Sequence, residues 1–256
     1  ICVYFKFIKL LNILLVILVI LMESLITTLE KSFTEISEMI ANNDSNTLEK
    51  YSKEYNVSGD DVKKVDIMAN LILKNNLSKC NLVRSIGSEE EETILQTSHS
   101  TAPYLVCYDP LDGSSNIGVN ITTGTIFGVY KYDHSNKIIS GRSTVLAGYC
   151  LYGGATQYVI AYNNNVSMYQ LKPLNNDKND KKFFKIADNM KIPEKGNVYS
   201  INESYRNKWL DFRYKDIITF FMERNYTSRW VGSLVADGHR TLLKGGLFAY
   251  PANMSN

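Results

Sequence analysis

The stretch YDPLDGSSNIG, residues 108–118, decides how this chain is read. It follows the apolar run YLVCY, residues 104–108, which has the length and residue types of a buried strand, so a carboxylate stands at a strand end. Asp109 and Asp112 lie three residues apart across a Pro-Leu step. A tight turn there gathers two carboxylates and an intervening carbonyl at one point, an all-oxygen donor set that suits a hard cation. Gly113, Ser114 and Ser115 come next, small residues whose backbone N–H groups can approach a phosphate closely. The same residues also serve as ordinary turn signals, with Asp-Gly-Ser capping a short helix.

Working outward, 256 residues allow one large domain or two modest ones, with ample apolar content for a core. Basic and acidic residues number 28 and 26 and are interspersed, so nothing in them points to a nucleic-acid surface or an acidic tail. Four cysteines, Cys2, Cys80, Cys107 and Cys150, are far apart with no C-x-x-C pair and read as reduced core residues. His99, His134 and His239 form no zinc-type spacing, so a metal here is held by oxygen.

Residues 10–22 are apolar except for Asn12 and follow Lys6 and Lys9, a run short for a membrane span. Three readings stand for residues 1–22: a targeting segment, a buried or oligomer-contacting helix, and an incorrectly assigned chain start. Residues 23–40 carry Leu25, Ile26, Leu29, Phe33, Ile36 and Ile40 at helical spacing. A second helical pattern covers 47–55, and a third opens after the polar turn at 57–61 and runs through Val62, Val65, Met68, Leu71 and Ile72. Capping accounts for Asp60 or Asp61 but not for Asp66, about two turns on. Residues 82–88 are strand-like and end in four glutamates, 89–92. Alone that run is a solvated face. One hairpin-length before the Asp109 strand, it sets Glu89 beside Asp109, and carboxylates so clustered need a cation. Further on, the pattern predicts strands over 125–132, 157–162 and 166–171, the last two joined by a hairpin turn at 163–165, a helix over 145–154 and a solvated loop over 175–182.

Three stretches then carry a family resemblance: Gly59 and Asp60 leading through VKKVD to Asp66, SEE at 88–90, and DPLDGSSN at 109–116. They resemble class I fructose-1,6-bisphosphatases, within the Mg-dependent, lithium-sensitive sugar and inositol phosphatases. The narrower likeness rests on Asn116, GTIFGVY (124–130), GRSTVLAGYCLYGGAT (141–156), YSINESY (199–205) and VGSLVADGHRTLLKGGLFAYPA (231–252), and it runs from about residue 23 to 256.

The resemblance implies a layered α/β/α/β/α sandwich with an incomplete second half, divided near Gly196 into a metal-binding half (23–195) and a sugar-phosphate-binding half (196–256). It implies hydrolysis of the 1-phosphate of fructose 1,6-bisphosphate, as in gluconeogenesis, with two or more Mg²⁺ or Mn²⁺ per subunit. Glu89, Asp109, Asp112 and the Leu111 carbonyl are then ligands, Glu90 and Asp66 the pair that takes the proton from the attacking water, and Asp60 part of a mobile loop completing a further metal site. Asp112, Gly113, Ser114 and Ser115 hold the phosphate to be cleaved. Asn202, Tyr205, Arg229 and Tyr250 take the second phosphate, the arginine reaching in from a neighbouring subunit. Trp230 stands where Tyr is usual and Leu234 where Met is usual. The family's nucleotide inhibitor site is poorly matched, with Pro103 and Lys131 at two of its positions and Tyr104 alone retained.

A homodimer or homotetramer acting on a small sugar bisphosphate is implied, with no nucleic acid, and no membrane unless residues 1–22 are genuine. Cytoplasmic location is expected, because Asn202-Glu203-Ser204 is a glycosylation sequon on a phosphate-binding residue and others occur at Asn56, Asn120 and Asn225. The family pattern continues beyond Asn256 into a strand carrying a Lys and a Glu, so little activity is expected of the chain as given. The alternatives are a sedoheptulose-1,7-bisphosphatase and an inactive member of the family.

Overall fold

Apolar residues three and four apart build the first helix, α1, which spans Cys2–Ala41 and so takes in the apolar run as well as the expected 23–40 stretch. This computed structural model describes residues 2–42, 61–133, 135, 137, 140–175 and 177–254. Side chains are described from residue 21 in α1 and from residue 64 in the second helix, and not at 178 and 179. Met22, Leu25, Leu29, Phe33, Ile36 and Met39 form the buried stripe of α1. Ile26 and Ile40 of the expected stripe are half-buried at its margins. The hydroxyls of Thr27, Thr28, Ser32 and Thr34 each donate to the carbonyl four residues earlier, which is how Ser32 sits in the core with its hydroxyl paired.

Helix α2 (Asp61–Ser78) buries Val65, Met68, Ala69, Leu73 and Leu77 and packs on α1, with Asn76 Nδ2 donating to Glu35 Oε2 at 2.9 Å. The helical pattern expected over 47–55 lies outside the described residues. Among the described residues no helix is long and apolar enough to cross a membrane.

Eight strands form a mixed sheet: β1 (Val83–Ser88), β2 (Leu95–Gln96), β3 (Tyr104–Asp112), β4 (Thr123–Lys131), β5 (Thr144–Tyr152), β6 (Thr156–Tyr162), β7 (Asn165–Leu174) and β8 (Asp177–Ala187). Their order is β2-β1-β3-β4-β5-β6-β7-β8. A second sheet, ordered β10-β9-β11, joins β9 (Val198–Ser200), β10 (Thr227–Ser228) and β11 (Leu247–Phe248), with both pairings parallel. Helices α3 (Arg213–Glu223) and α4 (Leu234–Lys244) accompany it. The chain forms two compact units, residues 1–110 with 127–147 and residues 111–126 with 148–256.

Three expectations change. The stretch expected as a helix, 145–154, is instead strand β5 as far as Tyr152, followed by a bend. Leu146 and Ala147 favour a helix locally, but β5 lies inside the sheet between β4 and β6, where two hydrogen-bonded neighbours outweigh that preference. Residues 175–182 are largely strand β8 rather than a loop. As the outer strand, β8 has one partner, β7, and its Lys182 and Lys185 face water as edge lysines commonly do. Lastly, β1 and β3 are parallel, with Ser88 opposite Tyr108, and β2 is the antiparallel neighbour of β1. The hairpin at 163–165 does form, with Asn163 and Asn164 both left-handed at φ 52° and 58°, the twist a two-residue β-turn requires.

Phe33 is 1% exposed and lies 5.5 Å, centroid to centroid, from Phe127. Phe33→Ala is expected to cost about 3–5 kcal/mol in urea unfolding, the range for deleting an enclosed aromatic.

Candidate active site

Parallel pairing of β1 and β3 sets the acidic residues of the first unit. The Glu89 amide donates to the Tyr108 carbonyl at 3.0 Å, so Glu89 and Asp109 each follow the last paired residue of neighbouring strands that run the same way. The four glutamates are not equivalent. Glu90 has its amide on Ser88 Oγ at 3.3 Å. Glu91 Oε1 accepts from Lys74 Nζ at 2.6 Å and from Asn70 Nδ2 at 3.0 Å, and the buried Asn70 in turn accepts from the Tyr108 hydroxyl at 3.0 Å. Lys74 and Asn70 belong to α2, the helix that carries Asp66. The Lys74 ammonium holds the Glu91 carboxyl below the usual carboxylate range, while burial pushes the Tyr108 phenol up. Nothing in the sequence had set Glu91 apart from its neighbours.

In the second unit, β3 runs on through Asp112, so the turn falls at Gly113 and not at the Pro-Leu step. Pro110 lies two residues beyond the last β1 partner, where no β1 ladder bond needs its missing N–H. Gly113 is left-handed at φ 74°, and a Cβ there would stand 2.7 Å from Ser233 Cβ. A 3-10 helix, Ser114–Val119, follows and opens on the Ser114 and Ser115 amides, which have no partner within the helix itself.

The turn is locked by the start of α4. Asp112 Oδ2 accepts from Ser233 Oγ at 2.6 Å and from the Val235 amide at 2.9 Å. Asn116 Nδ2 donates to the Val231 and Thr122 carbonyls at 3.3 and 3.4 Å. Ser233 also caps α4 by accepting from the Ala236 amide at 3.2 Å. Ser233 lies within the family motif at 231–252, but no local pattern marks its role, because the contact joins segments 121 residues apart.

The residues expected at the second phosphate gather by a simple rule. Three parallel strands release their chains at one end of the small sheet, where ligands of open α/β sheets bind. Asn202 and Tyr205 follow β9, Arg229 follows β10, and Tyr250 follows β11. Asn202 Oδ1 accepts from Ser204 Oγ at 2.6 Å and caps the 3-10 turn Glu203–Tyr205. Trp230 and Tyr250 are 37% and 56% exposed, with ring centroids 6.4 Å apart. Arg229 is exposed, with its amide on the Tyr199 carbonyl at 2.9 Å. A hydrophobic core of Tyr199, Ile201, Trp209 and Ile218, with Phe221 stacked on Tyr199, supports these strands. A cavity of about 690 Å³ lined by Lys195, Asn197, Phe221 and Tyr226 opens at the opposite strand ends, and none of the expected residues lines it.

Two family models cover nearly the whole chain: "Fructose-1-6-bisphosphatase, N-terminal domain" over residues 19–177 and the corresponding C-terminal domain over 192–256. The chain belongs to the fructose-1,6-bisphosphatase family. It is 43% identical over 205 residues to fructose-1,6-bisphosphatase class 1 of Sulfurihydrogenibium sp. (strain YO3AOP1), covering 78% of this chain and 62% of that protein. It is 41% identical over 217 residues to fructose-1,6-bisphosphatase 1 of Bos taurus, covering 77% and 60%. The chain thus spans about three-fifths of the length of the curated relatives it matches. The holo form of Leishmania major fructose-1,6-bisphosphatase superposes with a TM-score of 0.77 at 31% identity, over 91% of this chain and 72% of that one. That likeness shows the α/β sandwich of the sugar phosphatases, as the sequence motifs implied.

Divalent-metal dependence follows from the family. Among the described residues no three His, Cys, Asp or Glu side chains come close enough together to hold an ion. The residues expected as ligands, Glu89, Asp109, Asp112 and the Leu111 carbonyl, offer oxygen donors alone, the chemistry that suits Mg²⁺ or Mn²⁺. Asp60 lies outside the described residues.

Two outcomes follow from these contacts. Because the Glu91 pKa is lowered on folding, its contribution is present above the unfolded value of about 4.3 and is lost as pH falls through the folded value. Lys74→Met is therefore expected to lower stability by about 0.2–1 kcal/mol at pH 7 and by less at pH 3, read by urea unfolding at both. Ser233→Ala removes a cap and a donor to a carboxylate and should cost about 1–2 kcal/mol, while Leu234→Ala beside it stays within about 0.5 kcal/mol.

Proposed function

We propose that this protein is a phosphatase that removes the 1-phosphate of fructose 1,6-bisphosphate, leaving fructose 6-phosphate. The observation that carries the reading is the Asp112–Ser233–Val235 contact, which fixes the phosphate-type turn against the segment bearing Arg229 and Trp230. The relatives named fructose-1,6-bisphosphatase support the same substrate.

In this reading Glu89, Asp109, Asp112 and the Leu111 carbonyl would hold two or more Mg²⁺ or Mn²⁺, which when bound would supply positive charge for the phosphoryl oxygens and for the attacking water. Glu90 and Asp66 take the proton of the attacking water. Gly113, Ser114 and Ser115 present backbone donors to the phosphate that leaves. Asn202, Tyr205, Arg229, Trp230 and Tyr250 hold the other phosphate, and that remote binding orients the reacting one. The tryptophan at 230 contributes a ring without a phenolic donor. Asp60 completes a further metal site.

The proposal extends to a homodimer or homotetramer in which Arg229 serves a neighbouring subunit's site. It also places the metal-binding half at 23–195, the sugar-phosphate half at 196–256, and the protein in the cytoplasm.

Phosphate release should be measured from fructose 1,6-bisphosphate and sedoheptulose 1,7-bisphosphate with Mg²⁺ and with excess chelator. The fructose ester is expected to be preferred and chelator to abolish turnover. Glu90→Gln is expected to lower kcat by about 10²–10⁴ with KM within a few fold. Full activity in chelator, or a raised KM at unchanged kcat in Glu90→Gln, would overturn the assigned roles.

A further inference from the structure

Asp237 is the only charged side chain that is buried among the described residues, at 0% exposure. A carboxylate so enclosed is stable only where donors replace its water. The Val231 amide lies 3.1 Å from Oδ2, the Gly232 amide 3.2 Å from the same oxygen, and Arg240 Nη1 2.9 Å from Oδ1. The same guanidinium nitrogen donates to the Arg229 carbonyl at 3.1 Å. With the Arg229 amide on Tyr199, both backbone groups of Arg229 are held while its side chain stays exposed.

These bonds are not the helix's own business. An Asp in the first turn of a helix ordinarily complements the helix dipole or its unpaired amides. Ser233 already caps α4, and Asp237 spends its acceptors on residues that precede the cap. Arg240 stands three residues on and reaches two residues further back along the chain than its partner does. Asp237 and Arg240 thus hold residues 229 to 232 in one path, and that path sets where Arg229 and Trp230 emerge.

We propose that Asp237 and Arg240 are positioning residues for sugar-phosphate recognition, holding the backbone of residues 229–232 so that Arg229 and Trp230 are arranged before ligand arrives. The inference rests on the reading of Arg229 and Trp230 given above. Holding the loop in advance removes an ordering cost from binding. It leaves the turn after Asp112 to its separate anchors, Ser233 and Val235.

Binding of fructose 6-phosphate is measured by calorimetry for the wild type, Arg240→Gln, Arg240→Lys, Arg229→Gln and the Arg229→Gln/Arg240→Gln pair. Thermal unfolding of each confirms that it is folded. Arg240→Gln is expected to weaken binding by roughly ten- to hundredfold, Arg240→Lys by less, and the pair by clearly less than the product of the two single losses, because Arg240 acts in part through Arg229. A structural role independent of Arg229 would make the two losses multiply, and that result overturns the proposal. Unchanged affinity in Arg240→Gln overturns it while leaving the sugar-phosphate reading intact. A wild type that does not bind fructose 6-phosphate overturns that reading and the positioning role together. Should Arg240→Gln fail to fold, having left Asp237 without its cation, the Arg240→Lys arm is paired with Arg229→Gln under the same criteria.

Discussion

One carboxylate acceptor organises the second unit. Asp112 takes a hydroxyl and a backbone amide from the first residues of α4, and much of the local sequence is what that contact requires. Ser233 can lie against the turn only if residue 113 has no side chain and tolerates a left-handed backbone. Gly124 answers the same demand from below, since a Cβ there would stand 2.4 Å from the Cys150 carbonyl and 2.8 Å from Val235 Cγ1. Asn116 closes the other side through the Val231 carbonyl. Hydrogen bonds to a charged group contribute about 1.5–3 kcal/mol each, and a carboxylate at a helix N-terminus gains a further 0.3–1 kcal/mol or so from the dipole. The contact therefore outweighs any ordinary surface pair in this chain, and it places a charge-bearing side chain without leaving it mobile.

The small parallel sheet solves a different problem, that of bringing residues from three distant segments to one end. It does so with very short strands, because glycines let the backbones meet. A Cβ on Gly196 would stand 2.2 Å from the Gly246 nitrogen, and one on Gly246 would stand 2.0 Å from the Val198 carbonyl oxygen. Gly245 and Gly246 both have positive φ, 69° and 95°, and the Gly245 amide closes α4 on the Thr241 carbonyl. The chain leaves α4, turns sharply and enters β11 beside β9 within two residues.

Much of this was legible from residue patterns. The stripe from Leu25 to Ile36, the strand ahead of Asp109 and the Asn163-Asn164 turn follow from local periodicity and turn chemistry. What escaped was set by neighbours. Leu146 and Ala147 favour a helix while Tyr149 suits a strand, and position in the sheet decided between them. Residues 175 to 182 look like a solvated loop because an outer strand faces water. Asp237 and Arg240 gave no local signal beyond a charged pair three apart on a helix, and only the fold shows the pair facing the chain ahead of it. The residues after β9, β10 and β11 were picked out by family likeness alone; parallel strand order supplies the physical reason they share one end.

The Asp112–Ser233 bond also spans 121 residues of chain. A ribosome adding about 5–20 residues per second needs roughly 6–24 s to make the second partner after the first. Through that interval the DGSSN turn is made of short polar groups that water can satisfy, so the wait exposes no apolar surface at that point. Closing so long a loop costs only slightly more entropy than closing one half its length, but the search it demands is slow. The turn that would hold phosphate is in consequence among the last parts of the unit to take shape, completed when the start of α4 arrives.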